Sequence, residues 1–171
     1  MNIRAMESKD REAVMELIHA TAMFTEEEER VAAELIDIYL TQPGQKDYAI
    51  DVAENDTGAV EGYICYGPTP MTEGTMDLYW IAVHPSRHNR GCGKALVAHL
   101  ENTLRENKGR LILIETSSKE KYAPTRQFYL RLGYQEAARI KDYYRPGDDR
   151  IIFCKYFNLE EAKPWNDGSG C

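Results

Sequence analysis

At 171 residues, with 43% hydrophobic and 29% charged side chains, the chain can bury one substantial core and has the composition of an ordinary globular domain. Its formal net charge of −7 disfavours general binding to nucleic acid, which requires clustered Lys and Arg against phosphates. Cys65, Cys92, Cys154 and Cys171 form no CxxC pair, against a zinc site or a disulfide scaffold, and neither a signal segment nor a run of roughly 20 apolar residues points to secretion or a membrane. A cytoplasmic protein with no membrane or nucleic-acid partner is the expectation.

In chain order, NIRAM reads as a short strand, and Ser8 as the cap of a helix running to about His19 with Val14, Leu17 and Ile18 on one face. Thr25 and Glu28 form a capping box for a second helix. Its acidic start, Glu26–Glu29, suits the helix N-terminus, and Val31, Leu35 and Ile38 form its buried stripe. YAIDVAE and AVEGYICYG alternate like paired strands around the turn NDTG, and MDLYWIAV is a further strand stopped near Pro85. From Lys94, the residues Leu96, Leu100 and Leu104 recur at helical spacing until Gly109. LILIET is continuously apolar, as in a strand covered on both faces. APTRQFYLRLG is a helix with Phe128 and Leu132 inward, which turns Tyr129 about 100° away from Phe128. YQEAARIKDYY and RIIFCKYF close the chain as a hairpin around RPGDD. The order β-α-α-β-β-β-α-β-α-β-β predicts one α/β domain with a mixed central sheet, residues 1–158, followed by a loosely ordered tail, 159–171.

Between the strand ending at Val83 and the helix of Leu96 lies HNRGCGKAL. From His84 to Lys94 there are three cations, Arg87, Arg90 and Lys94, and no acid. A glycine turn at a helix mouth aims several backbone N–H groups at one point, which suits a small phosphorylated ligand. The P-loop pattern fails at His88 and Ala95, so magnesium–nucleotide chemistry lacks its metal ligand. The dinucleotide fingerprint fails at Leu96 and is not in the first βαβ unit. A third pattern, Q/R-x-x-G-x-G/A, runs through His88, Gly91 and Gly93. A second segment, YAPTRQFYLRLGY, matches N-x-x-A-x-x-F-Y-x-x-x-G-F at Phe128, Tyr129, Gly133 and Tyr134.

On these two motifs the chain resembles the GNAT acetyltransferase superfamily, over roughly Ile3 to Phe157. The resemblance implies a single GNAT-type domain with helices on both sheet faces and acetyl-CoA bound, as co-substrate, between two splayed parallel strands. Its pyrophosphate would lie on the main chain of His88, Asn89, Arg90, Gly91, Cys92, Gly93 and Lys94. The pantetheine arm would run beside Ile81, Ala82 and Val83 like an added strand and pass Tyr122 and Tyr129. Three positions depart from the pattern: His88 replaces Gln or Arg, Tyr122 replaces Asn, and Thr125 replaces Ala. The protein would act as a monomer or homodimer on an amine acceptor, without a metal; His84 and His88 flank a proline turn rather than sharing a helix.

Acetyl transfer to an amine with a pKa of about 10.4 needs a base, because freeing that amine at pH 7 costs roughly 4–5 kcal/mol. Glu115, at the carboxyl end of LILI, would gain basicity from its apolar edge, and its position resembles the glutamate of ribosomal-protein and N-terminal acetyltransferases. Asp77 falls where histone-type members carry theirs, and a proton path through water stays open. The resemblance supplies Tyr129 as acid for the leaving thiolate and the main chain of Ile81–Val83 as oxyanion donor. Cys92 has no His–carboxylate partner and direct attack needs no acyl-enzyme. Tyr79, Trp80, Tyr143 and Tyr144 would wall the acceptor slot, with Asp148 and Asp149 attracting its charge. DYYRPGDD resembles the tyrosine-bearing hairpin of N-terminal acetyltransferases, so a peptide stands beside small amines, polyamines and amino acids as acceptor. A non-catalytic acyl-CoA-binding sensor or docking module of the same fold would need the glycine turn but neither Tyr129 nor a base.

Overall fold

A computed structural model describes residues 1–87 and 90–157; the expected tail, 159–171, and His88 and Asn89 of the glycine turn lie outside the described residues. The chain runs β1 (Asn2–Ala5), α1 (Arg11–Ala20), α2 (Glu26–Thr41), β2 (Ala49–Glu54), β3 (Val60–Pro68), β4 (Thr75–Val83), α3 (Cys92–Glu106), β5 (Leu111–Ser117), α4 (Ala123–Arg131), β6 (Gln135–Arg145) and β7 (Asp148–Tyr156), in the predicted order. The strands form one sheet, β1-β2-β3-β4-β5-β7-β6, in which β4 and β5 are parallel and the other neighbours antiparallel.

Local chemistry explains most boundaries. The α2 start is the predicted capping box: Glu28 N–H donates to the Thr25 hydroxyl at 3.2 Å, and Thr25 N–H to the Glu28 carboxylate at 2.7 Å. The NDTG turn closes as Thr57 and Ala59 N–H groups donate to the Asn55 side chain at 2.9 and 3.0 Å, with Gly58 at φ +81°. Ser8 does not cap α1. A 3₁₀ turn, Ser8–Asp10, precedes that helix, and Asp10 accepts from Glu7 N–H at 2.8 Å and from Arg4 at 2.7 and 3.0 Å. The stripe of α2 is also shifted by one residue: Ala32 and Ile36 are buried, whereas Val31 is 40% exposed. Periodicity sets the spacing of an apolar row but not which of two adjacent rows meets the sheet.

Two cores flank the sheet. On one face, Leu96, Leu100 and Leu104 of α3 and Tyr129 of α4 pack on Ile64, Ile112, Ile114 and Phe153. On the other, Val14, Leu17 and Ile18 of α1 and Ile36 of α2 pack on Ile50, Val52 and Tyr63. The buried residues of this second core include none from β5, β6 or β7, so that half-face stays open, with Glu115 on it exposed.

The decisive feature is where β4 and β5 separate. Their pairing runs from Thr75↔Leu111 to Leu78↔Ile114 and stops there. Beyond that point β4 follows β3, and β5 follows β7 from Glu115↔Ile152 to Ser117↔Arg150. The β3–β4 register slips between Cys65 and Tyr66, leaving Tyr79 as the extra residue of a bulge at the point of divergence.

Candidate active site

The parting strands open a cleft of about 640 Å³ walled by Leu78–Val83 on one side and Ile114–Ser117 on the other. Met23, Phe24 and Thr25 from the α1–α2 connection cover it, Tyr122, Thr125 and Tyr129 close the far side, and Tyr144, Arg145 and Asp148 form a rim. Ile81 and Ala82 pair with Ile64 and Tyr63 of β3, while β5 has already turned away. Their other backbone edge therefore faces the opening, where an extended arm with amide groups could be held as a strand would be.

At the mouth of α3, Gly91 has φ +87°, a left-handed conformation that side chains disfavour, and the space where a Cβ would project is open. The first helical hydrogen bond is Ala95 N–H to the Gly91 carbonyl at 2.9 Å. The N–H groups of Cys92, Gly93 and Lys94 thus precede the helical ladder and carry the positive end of its dipole. Arg90 and Lys94 are exposed beside them, but Arg87 is spent on Glu61 at 3.0 Å. Gly93 lies under the Phe128 ring, which a Cβ there would meet at 3.4 Å, an ordinary packing distance. Gly62 on β3 was not singled out from the sequence. A Cβ at this position would come within 2.8 Å of Cys92 Sγ, so its absence lets α3 close onto the sheet. The signal was a glycine inside a strand. Cys92 is buried beneath the turn and burial pushes its thiol up to about 11, which keeps it protonated and inert as a nucleophile.

Tyr129 lines the cleft, but not as its helical position suggested. It is only 3% exposed, with its ring 5.4 Å from Phe128 and 6.0 Å from both Tyr134 and Phe153, whereas Phe128 and Leu132 are half-buried. The helix has turned so that Phe128 covers Gly93 and Tyr129 enters the core. Burial pushes the Tyr129 phenol well above its ordinary value, so it is a protonated donor throughout the usable pH range.

Glu115 lies on the cleft wall, but in a different setting from the apolar edge expected of it. Its side chain is 44% exposed and contacts the guanidinium of Arg150. Asp77 stands in the paired part of β4, opposite Leu113, and accepts from the Thr69 hydroxyl at 2.8 Å; it does not line the cleft.

Of the aromatic acceptor candidates, Tyr79, Trp80 and Tyr144 line the cleft, with Trp80 packed 5.3 Å from Phe24. Tyr143 stands behind Tyr144, edge-on at 5.0 Å, and its ring lies 4.9 Å from the Arg150 guanidinium. Asp148 is buried at the rim and accepts from the Ser117 hydroxyl. Asp149 is not available to an amine: it accepts from Asp142 N–H at 3.0 Å and Arg139 at 3.1 Å, which locks the hairpin. The Tyr122 hydroxyl and Lys121 ammonium both donate to the Met23 carbonyl, at 3.2 and 2.8 Å, and fasten the α1–α2 connection over the cleft. That latch spans nearly a hundred residues and left no trace in local sequence pattern.

The chain matches the Acetyltransferase (GNAT) domain family over residues 46–136, a little over half its length. Among solved structures, a GNAT-family protein from Desulfovibrio desulfuricans is 44% identical, with TM-score 0.85 over 91% of this chain and 98% of that one. An aminoglycoside 6'-N-acetyltransferase crystallised with coenzyme A is 17% identical at TM-score 0.71, covering 91% and 97%. A ribosomal-protein alanine N-acetyltransferase from Escherichia coli is 20% identical at TM-score 0.73, covering 95% and 98%. These last two share the fold. No protein of curated function matches the chain in sequence.

Proposed function

The chain belongs to the GNAT acetyltransferase family, and on that premise we propose that it transfers an acetyl group from acetyl-CoA to a primary amine by direct attack in a ternary complex. One observation carries the reading: two parallel strands part beside a helix mouth whose first amides precede its hydrogen-bond ladder. The residues present fit the coenzyme, because a diphosphate can approach the bare Cα of Gly91 and take the N–H groups of Cys92, Gly93 and Lys94. Acetyl-CoA bound there supplies an activated acetyl group as a thioester.

This chain's own groups then have separable tasks. The main chain at Ile81–Val83 orients the extended arm and offers donors to charge developing on the thioester oxygen. Glu115, directly or through water, takes a proton from the incoming ammonium. The amine nitrogen forms a bond to the carbonyl carbon as the carbon–sulfur bond breaks. Tyr129 delivers a proton to the departing sulfur and is restored by the second proton that the nitrogen sheds on becoming an amide, so the products are an amide, a free thiol and the one proton taken by Glu115. Trp80 and Phe24, packed together, limit water at the reacting carbon. Among the described residues, Cys65, Cys92 and Cys154 are buried and unpaired, which suits a reducing, cytoplasmic setting.

Incubation with acetyl-CoA and a panel of primary amines and short peptides, following free thiol, tests the reading. Turnover with at least one acceptor is expected. Tight coenzyme binding with no thiol release from any acceptor would leave a binding module and overturn the transferase.

A further inference from the structure

The open half of the sheet carries an ion pair that the proposed chemistry leaves half used. Arg150 on β7 lies diagonally across from Glu115 on β5, whose cross-strand neighbour is Ile152. One Nη group contacts the Glu115 carboxylate, and the other donates to the Tyr143 hydroxyl at 3.0 Å. Nε is buried and has no hydrogen-bond partner among the described residues. A guanidinium has five N–H donors in a planar fork that matches a carboxylate with two parallel bonds, and this one is incompletely satisfied. Two further cations stand nearby: Lys119 and Arg145 share the single buried carboxylate of Asp148 at 3.5 and 3.7 Å, too far for hydrogen bonds. Glu115 and Asp148 thus pair with three cations, Arg150, Lys119 and Arg145, while the cleft lining also carries Lys121 and Glu28.

We infer that Arg150 reads a carboxylate on the acceptor, so that the acceptors are amines carrying their own acid group, such as free amino acids, rather than plain amines. The inference rests on the transferase reading and names its substrate class. A plain ammonium drawn to Glu115 must compete with Arg150 for the same carboxylate, and displacing the guanidinium leaves two cations against one anion. A zwitterion exchanges with the pair charge for charge. Its ammonium takes Glu115, and its carboxylate takes the Nη group of Arg150 that Glu115 gives up. Tyr143 steadies the guanidinium during the exchange through its ring and hydroxyl.

The test pairs each acid-bearing amine with its decarboxylated counterpart: β-alanine with ethylamine, L-lysine with cadaverine, and L-phenylalanine with phenethylamine. Thiol release is compared as kcat/KM per unit of free-base amine, which removes differences in amine basicity. The wild-type protein is expected to prefer the acid-bearing member by about tenfold or more, the size of a charge-assisted double hydrogen bond. Arg150→Met should bring that ratio close to one, whatever happens to absolute rates, and Arg150→Lys, which keeps charge but loses the fork, should fall between. Coenzyme affinity measured by calorimetry reports whether each variant retains its fold, and the wild-type ratios decide even if one variant does not fold. Equal wild-type rates for both members of each pair would overturn the inference. So would a preference that survives in Arg150→Met, because the carboxylate would then be read elsewhere. Both results leave the transferase standing, whereas coenzyme binding with no acetylation of any amine would bring down the transferase and this inference together.

Discussion

Replacing Tyr129 with Phe removes one hydroxyl and leaves a ring that is packed on Phe128, Tyr134 and Phe153 and is 3% exposed. The ring contacts persist, so stability should change by less than about 1 kcal/mol. Coenzyme affinity should also hold, because the proposed diphosphate seat is on α3 and not on α4. The rate should not hold. A positioned proton donor contributes about 10²–10⁴-fold, and here the lower end applies. Burial pushes the Tyr129 phenol upward, which makes it a weak acid beside a thiolate whose conjugate acid titrates near 8.5. A fall in kcat of about a hundredfold, or about 2.7 kcal/mol, is the expected result.

The assay is initial-rate thiol release at saturating amine, with coenzyme binding by calorimetry and a thermal melt on the same protein. Tyr134→Phe serves as the control, since Tyr134 is equally buried and close to Tyr129 but does not line the cleft. It should keep wild-type kcat. If Tyr129→Phe retains kcat within about twofold, proton donation by Tyr129 is refuted. If kcat falls only in step with coenzyme affinity and melting temperature, the hydroxyl serves packing and the reasoning fails equally.

Gly91→Ala places a Cβ at φ +87°, where there is open space, so the cost is backbone strain of about 1–2 kcal/mol in a denaturant titration. Calorimetry should show coenzyme affinity falling by about tenfold (about 1.4 kcal/mol), because the added methyl occupies the approach to the N–H groups; unchanged affinity would remove the phosphate from this turn. Burial also predicts alkaline sensitivity: it holds the phenols of Tyr63, Tyr66, Tyr129 and Tyr134 above their ordinary value and pushes Cys65 to about 12 and Cys92 to about 11. The unfolded chain releases these protons from about pH 8.5 for the thiols and about pH 10 for the phenols, while the native chain retains them. The unfolded state then binds fewer protons, so stability should be level with respect to these groups below about pH 8.5 and fall above it by about 1.4 kcal/mol per pH unit for each titrating group. A denaturation midpoint that stays constant from pH 8 to about pH 10.5 would contradict that placement of the six groups.

The elements and their order were legible because local pattern encodes them: Thr25 and Glu28 are three residues apart, and Asn55 closes its turn within four. What escaped was everything decided by a partner distant in sequence. The apolar rows of α2 and α4 were legible as rows, yet Ala32 and Tyr129, not Val31 and Phe128, turned out to be buried, because a stripe more than 100° wide admits neighbouring centres. Glu115 is the instructive case. Its apolar neighbours in LILI suggested an apolar edge, but Ile114 and Thr116 point to the opposite sheet face, as alternate strand residues must. What Glu115 faces is set by β7, and the diagonal position there belongs to Arg150, 35 residues away. If Glu115 is the base, as proposed, its contact with Arg150 leaves it open to an acceptor only when something replaces the arginine's carboxylate. On the proposed reading, the contact that removes the apolar edge from Glu115 would also make the wall of the cleft a selector of acceptors.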